Sequence, residues 1–294
     1  MYHALKPLFQ PANVAVIGAS NATGKPGNSA IRYLARCGYE GGIFPVNPGQ
    51  SEIEGLPCYS GIGAIDAKID CALIVIPAGP AVEAVRECAE AGVGAVIIGA
   101  TGYAEMGTGD GRRRQAELVA IARRHGLRIL GPNTNGIFNA SDKLSLGYNT
   151  SHGDALSPGP VSIAAHSGAL FNCIAPRLRD LRAGLSKFVP VGNEADLDML
   201  DFLEYFIEDP DTGVIGLIME AISDGARLRR LAARARARAY DALFRDCGMA
   251  TVPTVEAMAG AAALLINRAG QAFPENNGLI GISTTGGARH PPGR

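Results

Sequence analysis

The feature that most constrains the fold is a strand, a glycine loop and a helix at residues 14–30. Residues 14–17 form a short apolar run that is typical of a buried parallel strand. Gly18 ends the run, a loop of small polar residues follows, and a helical pattern begins at about Asn28. Backbone N–H groups and the helix dipole make such an arrangement favourable for an anion, typically a phosphate. A plain strand-to-helix turn is the alternative interpretation.

Two nucleotide-binding motifs nearly fit this loop. A dinucleotide fingerprint needs a glycine where Ser20 stands, and an acidic residue at the end of the second strand, where Asn47 stands. A Walker loop has four residues before its Gly-Lys pair, but five separate Gly18 from Gly24, and Pro26 replaces the metal-binding hydroxyl. The loop is therefore predicted to bind an anion other than NAD or a P-loop nucleotide.

Strands and helices alternate regularly along the first half of the chain, which predicts a doubly wound parallel sheet. Ligands of such folds bind at the carboxyl ends of the strands, so the turns found there should line one crevice. These turns read GASN, PVNP, IPAG, GATGY and GPNTN. A change of composition near residues 150–160 marks a domain boundary, after which a second series of strands and helices begins.

Composition excludes several classes of function. The chain has 294 residues, 27 basic and 28 acidic, so it is not basic enough to predict nucleic-acid binding. Its six cysteines show no metal-binding spacing, which favours reduced thiols and no metal site. Neither a signal peptide nor a long apolar span is found, so a soluble cytoplasmic protein without membrane attachment is expected.

Seven motifs carry a resemblance to the NDP-forming acyl-CoA synthetases, over about residues 8–287. In order they are LFQPANVAVIGASN, GIFPVNP, GATGYAEMG, GPNTNGIFN, HSGAL, GNEADLDMLDFLEYFIEDP and GLIMEAISDG. The resemblance implies a Rossmann-like CoA-binding domain at 1–152 and a flavodoxin-like ligase domain, of the kind found in succinyl-CoA synthetase, at 153–270. Residues 278–287 resemble the first strand and glycine turn of another unit, so residues 271–294 are expected to begin a further domain.

The resemblance also implies a CoA site in the first domain. The residues concerned are Gly18, Ala19, Ser20, Asn21, Lys25, Asn47, Pro77, Thr101 and Asn133. Residues 18–21 would receive the CoA phosphates with Lys25 nearby, while the others would line or steady the crevice. Ordinary turn chemistry explains Pro77 and Asn133 equally well.

In the second domain the loop ending at Gly168 resembles the family's acyl-substrate loop. Ser167 and the N–H groups that open the following helix would hold a carboxylate or an acyl phosphate. Asn193, in GNEADLD, could form the edge of this site, although a capped turn before the helix at residue 199 explains it almost as well.

Two further residues have alternative interpretations. Glu220 ends an apolar strand and stands where the family's glutamate orients a phosphohistidine; a helix-dipole partner is the alternative. His166 lies in HSGAL, which looks like the family's phosphohistidine sequence but stands in the place of the substrate loop. It is therefore either a phosphate carrier or a loop or capping histidine.

One expected segment is absent. In the family a strand and a histidine loop follow the helix after Glu220, but here Ala239 runs directly into Tyr240. The resemblance thus implies an ADP-forming acid–thiol ligase, incomplete as written, that joins an unidentified small carboxylic acid to CoA through an acyl phosphate. ATP and ADP would be handled by a separate ATP-grasp subunit or domain, and a homo-oligomer is left open. A non-catalytic CoA-binding protein and, less favoured, an NAD-dependent oxidoreductase are the alternatives.

Overall fold

The chain contains two α/β units, each built on its own sheet. The computed structural model describes residues 2–154, 156–238, 249–251, 260 and 278–283. The helices are α1 (Lys6–Phe9), α2 (Pro26–Cys37), α3 (Ala78–Glu90), α4 (Gly109–His125), α5 (Phe171–Asp180), α6 (Met199–Glu208) and α7 (Gly225–Arg238). The strands are β1 (Asn13–Ile17), β2 (Gly42–Val46), β3 (Glu52–Ile53), β4 (Leu56–Pro57), β5 (Cys71–Ile74), β6 (Ala95–Ile98), β7 (Arg128–Leu130), β8 (Gly136–Asn139), β9 (Leu144–Gly147), β10 (Pro158–Ala165), β11 (Leu185–Pro190), β12 (Val214–Met219), β13 (Met249–Thr251) and β14 (Gly278–Ser283).

The first sheet confirms the predicted parallel architecture. Its strands lie in the order β2-β1-β5-β6-β7 and all pair in parallel. After β1 the chain turns to one side for β2 and then to the other side for β5. Ligands of open parallel sheets bind at such a switch point, outside the carboxyl ends of the strands. The anion loop after β1 lies at this point.

Helix α2 follows the anion loop because the local sequence favours a helix there. Pro26 is its first residue, where a missing N–H costs no hydrogen bond, and Gly38 ends it in the left-handed region at φ 74°. Ala30, Ile31 and Leu34 point inward and are almost fully buried. This apolar face packs the helix against both β1 and β9 and sets the position of the loop before it.

The second sheet is mixed, and it takes strands from residues assigned to the first domain. Its order is β13-β14-β12-β10-β11-β8-β9, and the hairpin β8–β9 pairs antiparallel with β11. The sequence pattern does not predict this hairpin. A short antiparallel pair has no distinct pattern beside the longer apolar runs of the parallel strands. The strand β11 lies on one side of β10, and β12 lies on the other. The strand order therefore reverses at β10, and a second switch point lies at the carboxyl ends of β10 and β12.

Strand β14 corrects one expectation. Residues 278–283 were expected to open a further unit, but they lie inside the second sheet between β12 and β13 and pair in parallel with both. An apolar strand has the same residue pattern in either sheet, so the sequence alone did not distinguish a strand of a further domain from a strand of the second sheet. The junction between Ala239 and Tyr240 lies outside the described residues.

The two units pack directly on one another. The Phe9 ring, near the amino terminus, stacks on Tyr205 of α6 with ring centroids 4.1 Å apart. Asp196 accepts hydrogen bonds from the Arg128 Nε and from the Ile129 N–H, both at 2.9 Å. These contacts set the two switch points relative to each other. None of the helices in the described ranges has both the length and the apolar character that a membrane crossing requires.

Candidate functional site at two switch points

Two neighbouring clefts open at the switch point of the first sheet. One has a volume of about 400 Å³ and is lined by residues that include Pro26, Thr101 and Tyr148. The other, of about 460 Å³, is lined by residues that include Gly18 and Asn47. Both clefts share Ile76 and Pro77, which follow β5. The structure therefore brings together four of the predicted crevice residues: Gly18, Asn47, Pro77 and Thr101.

The backbone at the start of the anion loop differs from the prediction. The N–H groups of Gly18 and Ala19 both donate to the carbonyl of Val46, at 3.1 and 3.3 Å. The expectation that these two groups are free for phosphate is wrong, because they extend the pairing between β1 and β2. The Ala19 side chain is fully buried. Asn21 Nδ2 donates to the Glu52 carbonyl at 2.9 Å. The donors that remain among residues 18–21 are therefore the backbone N–H groups of Ser20 and Asn21 and the Ser20 hydroxyl.

The rest of the loop is held in shape by its own side chains. Ser20 Oγ accepts the Ala22 N–H at 3.0 Å, and the Ser20 carbonyl accepts the Asn28 amide at 3.0 Å. Asn21 Oδ1 accepts the Glu54 N–H at 3.0 Å. Because these bonds lie within the chain itself, the loop is preorganised for binding.

Close approach between loop and helix explains one glycine. A Cβ at Gly27 would lie 2.2 Å from the carbonyl oxygen of Gly18, so only glycine fits. Lys25, at the N-cap position of α2, is exposed and its charge is available to a ligand. Asn47 instead supports the loop, because its amide donates to the Ala19 carbonyl at 2.8 Å.

His166 and Glu220 meet at the switch point of the second sheet. The His166 Nδ1 accepts the backbone N–H of Glu220 at 3.0 Å, and Nε2 lies 3.4 Å from the carboxylate of Glu194. The His166 side chain is only 12% exposed. The hydrogen bond to Glu194 raises the pKa of His166, and the nearby Glu220 charge adds to this, while burial opposes it.

Glu220 is exposed, and it does not cap the following helix. The residue is exposed, so it is not a carboxylate confined in the core, because β12 has already emerged from the sheet. It is also not the helix-capping acid. Helix α7 begins at Gly225, and Asp224 Oδ1 accepts the Arg227 N–H at 2.8 Å. Asp224 therefore takes the capping role.

The predicted substrate loop follows β10 at the same switch point. Ser167 is half-buried and precedes a short turn of 3₁₀ helix, residues 168–170, that runs into α5. A Cβ at Gly168 would lie 2.7 Å from the Asn135 Nδ2, and the Gly168 carbonyl accepts the Asn149 amide at 2.7 Å. Sequence reasoning missed Tyr148 and Asn149, although the small polar turn after the apolar run of β9 is a signal of the same kind as the others.

Asn193 and Asn133 connect the two units. The Asn193 amide donates to the Glu105 carboxylate and to Gln115, and its oxygen accepts from Asn133 at 3.4 Å. Burial alone would raise the pKa of Glu105, but hydrogen bonds, among them those from the Gly102 N–H and Asn193, outweigh burial and lower the pKa. Asn193 is thus occupied in joining the turn after β6 to the loop that carries Glu194.

Two descriptions of known domain families match the chain. Residues 12–140 match a CoA binding domain, and residues 158–239 match a succinyl-CoA ligase like flavodoxin domain. The alpha subunit of acetate–CoA ligase [ADP-forming] I from Pyrococcus furiosus is 39% identical over 233 residues, covering 78% of this chain and 50% of the relative. The chain spans about half the length of this relative.

Two further comparisons agree with these matches. The 4-hydroxybutyrate–CoA ligase [ADP-forming] of Nitrosopumilus maritimus is 24% identical over 313 residues, covering 96% of this chain and 44% of the relative. A solved acetyl-coenzyme A synthetase of Ca. Korarchaeum cryptofilum, in complex with phosphate and ADP, has a TM-score of 0.73 and 35% identity, covering 78% of this chain and 49% of that one. With a CoA-binding domain followed by a succinyl-CoA ligase-like domain, the chain belongs to the NDP-forming acyl-CoA synthetase family.

Proposed function

We propose that the chain binds coenzyme A at the first switch point and is the CoA-binding and ligase portion of an ADP-forming acid–thiol ligase. The observation that carries the proposal is the pair of clefts that meet at Pro77 beside the preorganised loop at 18–25. An elongated cofactor with phosphates at one end fits such a paired crevice. The reaction joins a small carboxylic acid to the CoA thiol through an acyl phosphate.

The proposed roles follow the geometry. Ser20, Asn21 and Lys25 hold the CoA phosphates, because they supply the donors and the positive charge that remain available at the loop. Pro77 and Thr101 line the path of the rest of the cofactor. Gly18, Ala19, Asn47 and Asn133 shape this site through backbone contacts.

The second switch point is proposed to hold the acid. Ser167 and the N–H groups that open the turn at 168–170 would bind a carboxylate or an acyl phosphate. Asn193 keeps the adjoining loop in place. Glu220 supplies the N–H that orients His166, and its side chain is exposed.

His166 is not well placed to carry a phosphoryl group. Because Nδ1 accepts the Glu220 N–H, the neutral ring carries its proton on Nε2. Nε2 therefore has no lone pair for attack on phosphorus, and the Glu194 carboxylate beside it repels a phosphate. We assign His166 a role in holding the loops at this switch point together.

Nucleotide chemistry is proposed to come from elsewhere. Relatives of this chain are named as alpha subunits of ADP-forming ligases. We propose an ATP-grasp subunit or domain as the partner that loads phosphate from ATP.

A second candidate function is CoA binding without turnover. The match to the flavodoxin domain ends at residue 239, beside the junction with Tyr240 where the family resemblance implies a histidine segment. The alignment with the Nitrosopumilus relative runs over 313 residues, more than the 294 of this chain, so that relative carries residues which this chain lacks. Both observations favour a chain that retains the CoA site and lacks the phosphate relay.

Ligand-dependent thermal unfolding tests the CoA site. At a hundredfold excess over the dissociation constant, CoA should stabilise the folded chain by about 2.7 kcal/mol, whereas NAD should leave the melting temperature unchanged. Stabilisation by NAD and none by CoA would overturn the proposal.

A charge placed in the loop tests where the phosphates lie. Ser20→Asp keeps an oxygen that can accept the Ala22 N–H, but it adds a negative charge and should weaken CoA binding by about tenfold or more in titration calorimetry. Ser141→Asp adds the same charge on the exposed turn between β8 and β9 and should leave the affinity unchanged. Equal losses in the two variants would show that the phosphates do not contact this loop.

A further inference from the structure

Two consecutive residues after β9 reach the two switch points. The Tyr148 side chain lines the 400 Å³ cleft of the first unit. The Asn149 side chain donates from Nδ2 to the carbonyl of Gly168, in the substrate loop of the second unit, at 2.7 Å. A short stretch of backbone therefore touches both the proposed CoA crevice and the proposed acid site.

Tyr148 is held at the carboxyl end of β6. Its hydroxyl lies 3.0 Å from the Thr134 carbonyl and 3.3 Å from the Gly99 carbonyl, and it donates to these oxygens. The ring packs on Gly99, where a Cβ would lie 3.0 Å from the ring carbon Cε1. Since Tyr148 is only half-buried, part of the ring remains open to the cleft.

Asn149 and Asn135 hold Gly168 from two sides. Asn149 binds the Gly168 carbonyl, while Asn135 packs so closely on its Cα that only glycine fits. The carbonyl of Asn135 in turn accepts the Tyr148 N–H at 3.2 Å. A change at Tyr148 is therefore transmitted to both contacts of Gly168.

The following residues anchor the segment to α5. Thr150 Oγ1 and the Ser151 N–H both donate to Asn172 Oδ1, at 3.2 and 3.1 Å. The buried His152 ring then packs edge-on against Phe171, with centroids 4.8 Å apart. Because the segment is anchored on this side, a shift at Tyr148 is not absorbed further along the chain.

We infer that Tyr148 and Asn149 couple the two switch points. Tyr148 offers its ring to the arm of CoA that lies in the cleft, and Asn149 is a positioning residue that holds Gly168 so that Ser167 keeps its place when CoA is bound. This inference rests on the proposed CoA site. It assigns CoA contact to Tyr148 and transmission to Asn149, neither of which the family resemblance pointed to.

The first measurement is CoA affinity by titration calorimetry. Tyr148→Ala removes the ring and should weaken CoA binding by about tenfold, as expected for loss of an aromatic contact in a cleft. Tyr148→Phe keeps the ring and loses only the hydroxyl, so its affinity should stay within about threefold of the parent. Equal affinity of Tyr148→Ala and the parent would overturn the role of the ring.

The second measurement follows the substrate loop itself. The chain contains no tryptophan, so Ala169→Trp at the exposed position beside Gly168 introduces a single indole, which can be excited apart from the tyrosines. CoA should change the emission of this indole in the parent background. Asn149→Asp loses the donor to Gly168 and should abolish the change while leaving CoA affinity within about twofold.

Asn172→Asp is the matched control. It makes the same chemical change nearby, but Asn172 acts as an acceptor for Thr150 and Ser151, and a carboxylate keeps both bonds. The emission response should therefore persist. Asn149→Ala removes the donor without adding a charge and should behave like Asn149→Asp, which separates the lost bond from the added charge.

The outcomes separate this inference from the proposed function. A response to CoA that persists in both Asn149 variants would overturn the coupling while leaving CoA binding intact. Absence of CoA binding to the parent chain would overturn the proposed function and this inference together. A His166 imidazole signal in NMR spectra, assigned by its loss in His166→Gln, is the second reporter. It should respond to CoA in the parent and in Asn172→Asp but not in the two Asn149 variants.

Discussion

Two histidines lie close to the substrate loop, and their surroundings shift their pKa values in opposite directions. His166 faces Glu194 and Glu220, and the hydrogen bond to Glu194 raises its pKa. His152 is fully buried, and burial lowers its pKa to about 3. Its Nδ1 lies 3.0 Å from Ser145 Oγ. His166 therefore keeps its proton to a higher pH than an ordinary histidine does, whereas His152 stays neutral in the folded chain at neutral pH.

At the residue scale, His152 should make the chain sensitive to acid. The unfolded chain binds a proton at His152 below its ordinary pKa of 6.5, while the folded chain does so only near pH 3. Stability is therefore lost as the pH falls below 6.5, by about 2 kcal/mol at pH 5 for this group. Urea unfolding of His152→Phe at pH 7 and pH 5 should show a smaller loss than the parent.

The exposed His125 provides the control for this measurement. His125→Phe should keep the pH dependence of the parent, because His125 is exposed and the change leaves the buried His152 ring as it is. The contribution of His166 to stability depends on pH in the opposite direction. The stabilisation by its pair with Glu194 is fully present below the unfolded pKa and is lost as the pH rises through the higher folded pKa. A parental pH dependence in His152→Phe would show that burial of His152 is not its source.

At the element scale, the pairing of α6 with α7 holds the second switch point in place. Asp198 and Asp201 form a capping box at the start of α6. Arg227 of α7 donates to Asp198 at 3.2 Å, to Asp201 at 2.6 Å and to Glu204 at 3.4 Å. The capping box begins directly after the GNEADLD loop, so these bonds fix the start of α6 beside the loop that carries Glu194.

Removal of the arginine should therefore loosen both helices. Arg227→Met leaves Asp201, which is only 10% exposed, without its cation and should lower the free energy of unfolding by about 1–2 kcal/mol. Arg229→Met, at an exposed position of the same helix, should change it by less than about 0.5 kcal/mol. Chemical denaturation measures both. Equal losses of unfolding free energy in the two variants would show that the ion pairs of Arg227 add no stability beyond the helix propensity of the residue.

At the scale of the whole molecule, the two switch points are joined by short polar connections. One runs from Glu105 through Asn193 to the loop of Glu194, and the other through Tyr148 and Asn149 to Gly168. The aromatic contact of Phe9 with Tyr205 packs the two units together. The molecule thus places the proposed CoA crevice of one unit close to the proposed acid site of the other.

The phosphate relay is the part of this chemistry that we expect to be missing. Mixed with an ATP-grasp subunit of a relative and with ATP labelled at the γ-phosphate, the chain should stay unlabelled, because His166 has no free nitrogen for attack. Electrophoresis under alkaline conditions, where phosphohistidine survives, measures the label. Label that is present in the parent and lost in His166→Ala would make His166 the carrier.

Much of this protein could be predicted from its sequence, because the relevant signals are local. Apolar runs ended by small polar turns placed β1, β2, β5, β6 and β7, and the turns after four of these strands do line the two clefts. The motif order identified the family, and the mismatch at Ser20 and Asn47 argued against NAD. Periodicity and turn chemistry depend on neighbours in the chain, so they can be read before the fold is known.

Only the tertiary structure decided which groups of these turns are free. The N–H groups of Gly18 and Ala19 are used by Val46, and Glu220 is exposed although it follows a buried strand. The hairpin β8–β9 joins the second sheet and places Asn149 on Gly168. Each of these facts depends on the pairing of segments that lie far apart in the sequence. Residue types and spacing along the chain do not specify that pairing, because a donor is free or occupied only relative to the strand beside it.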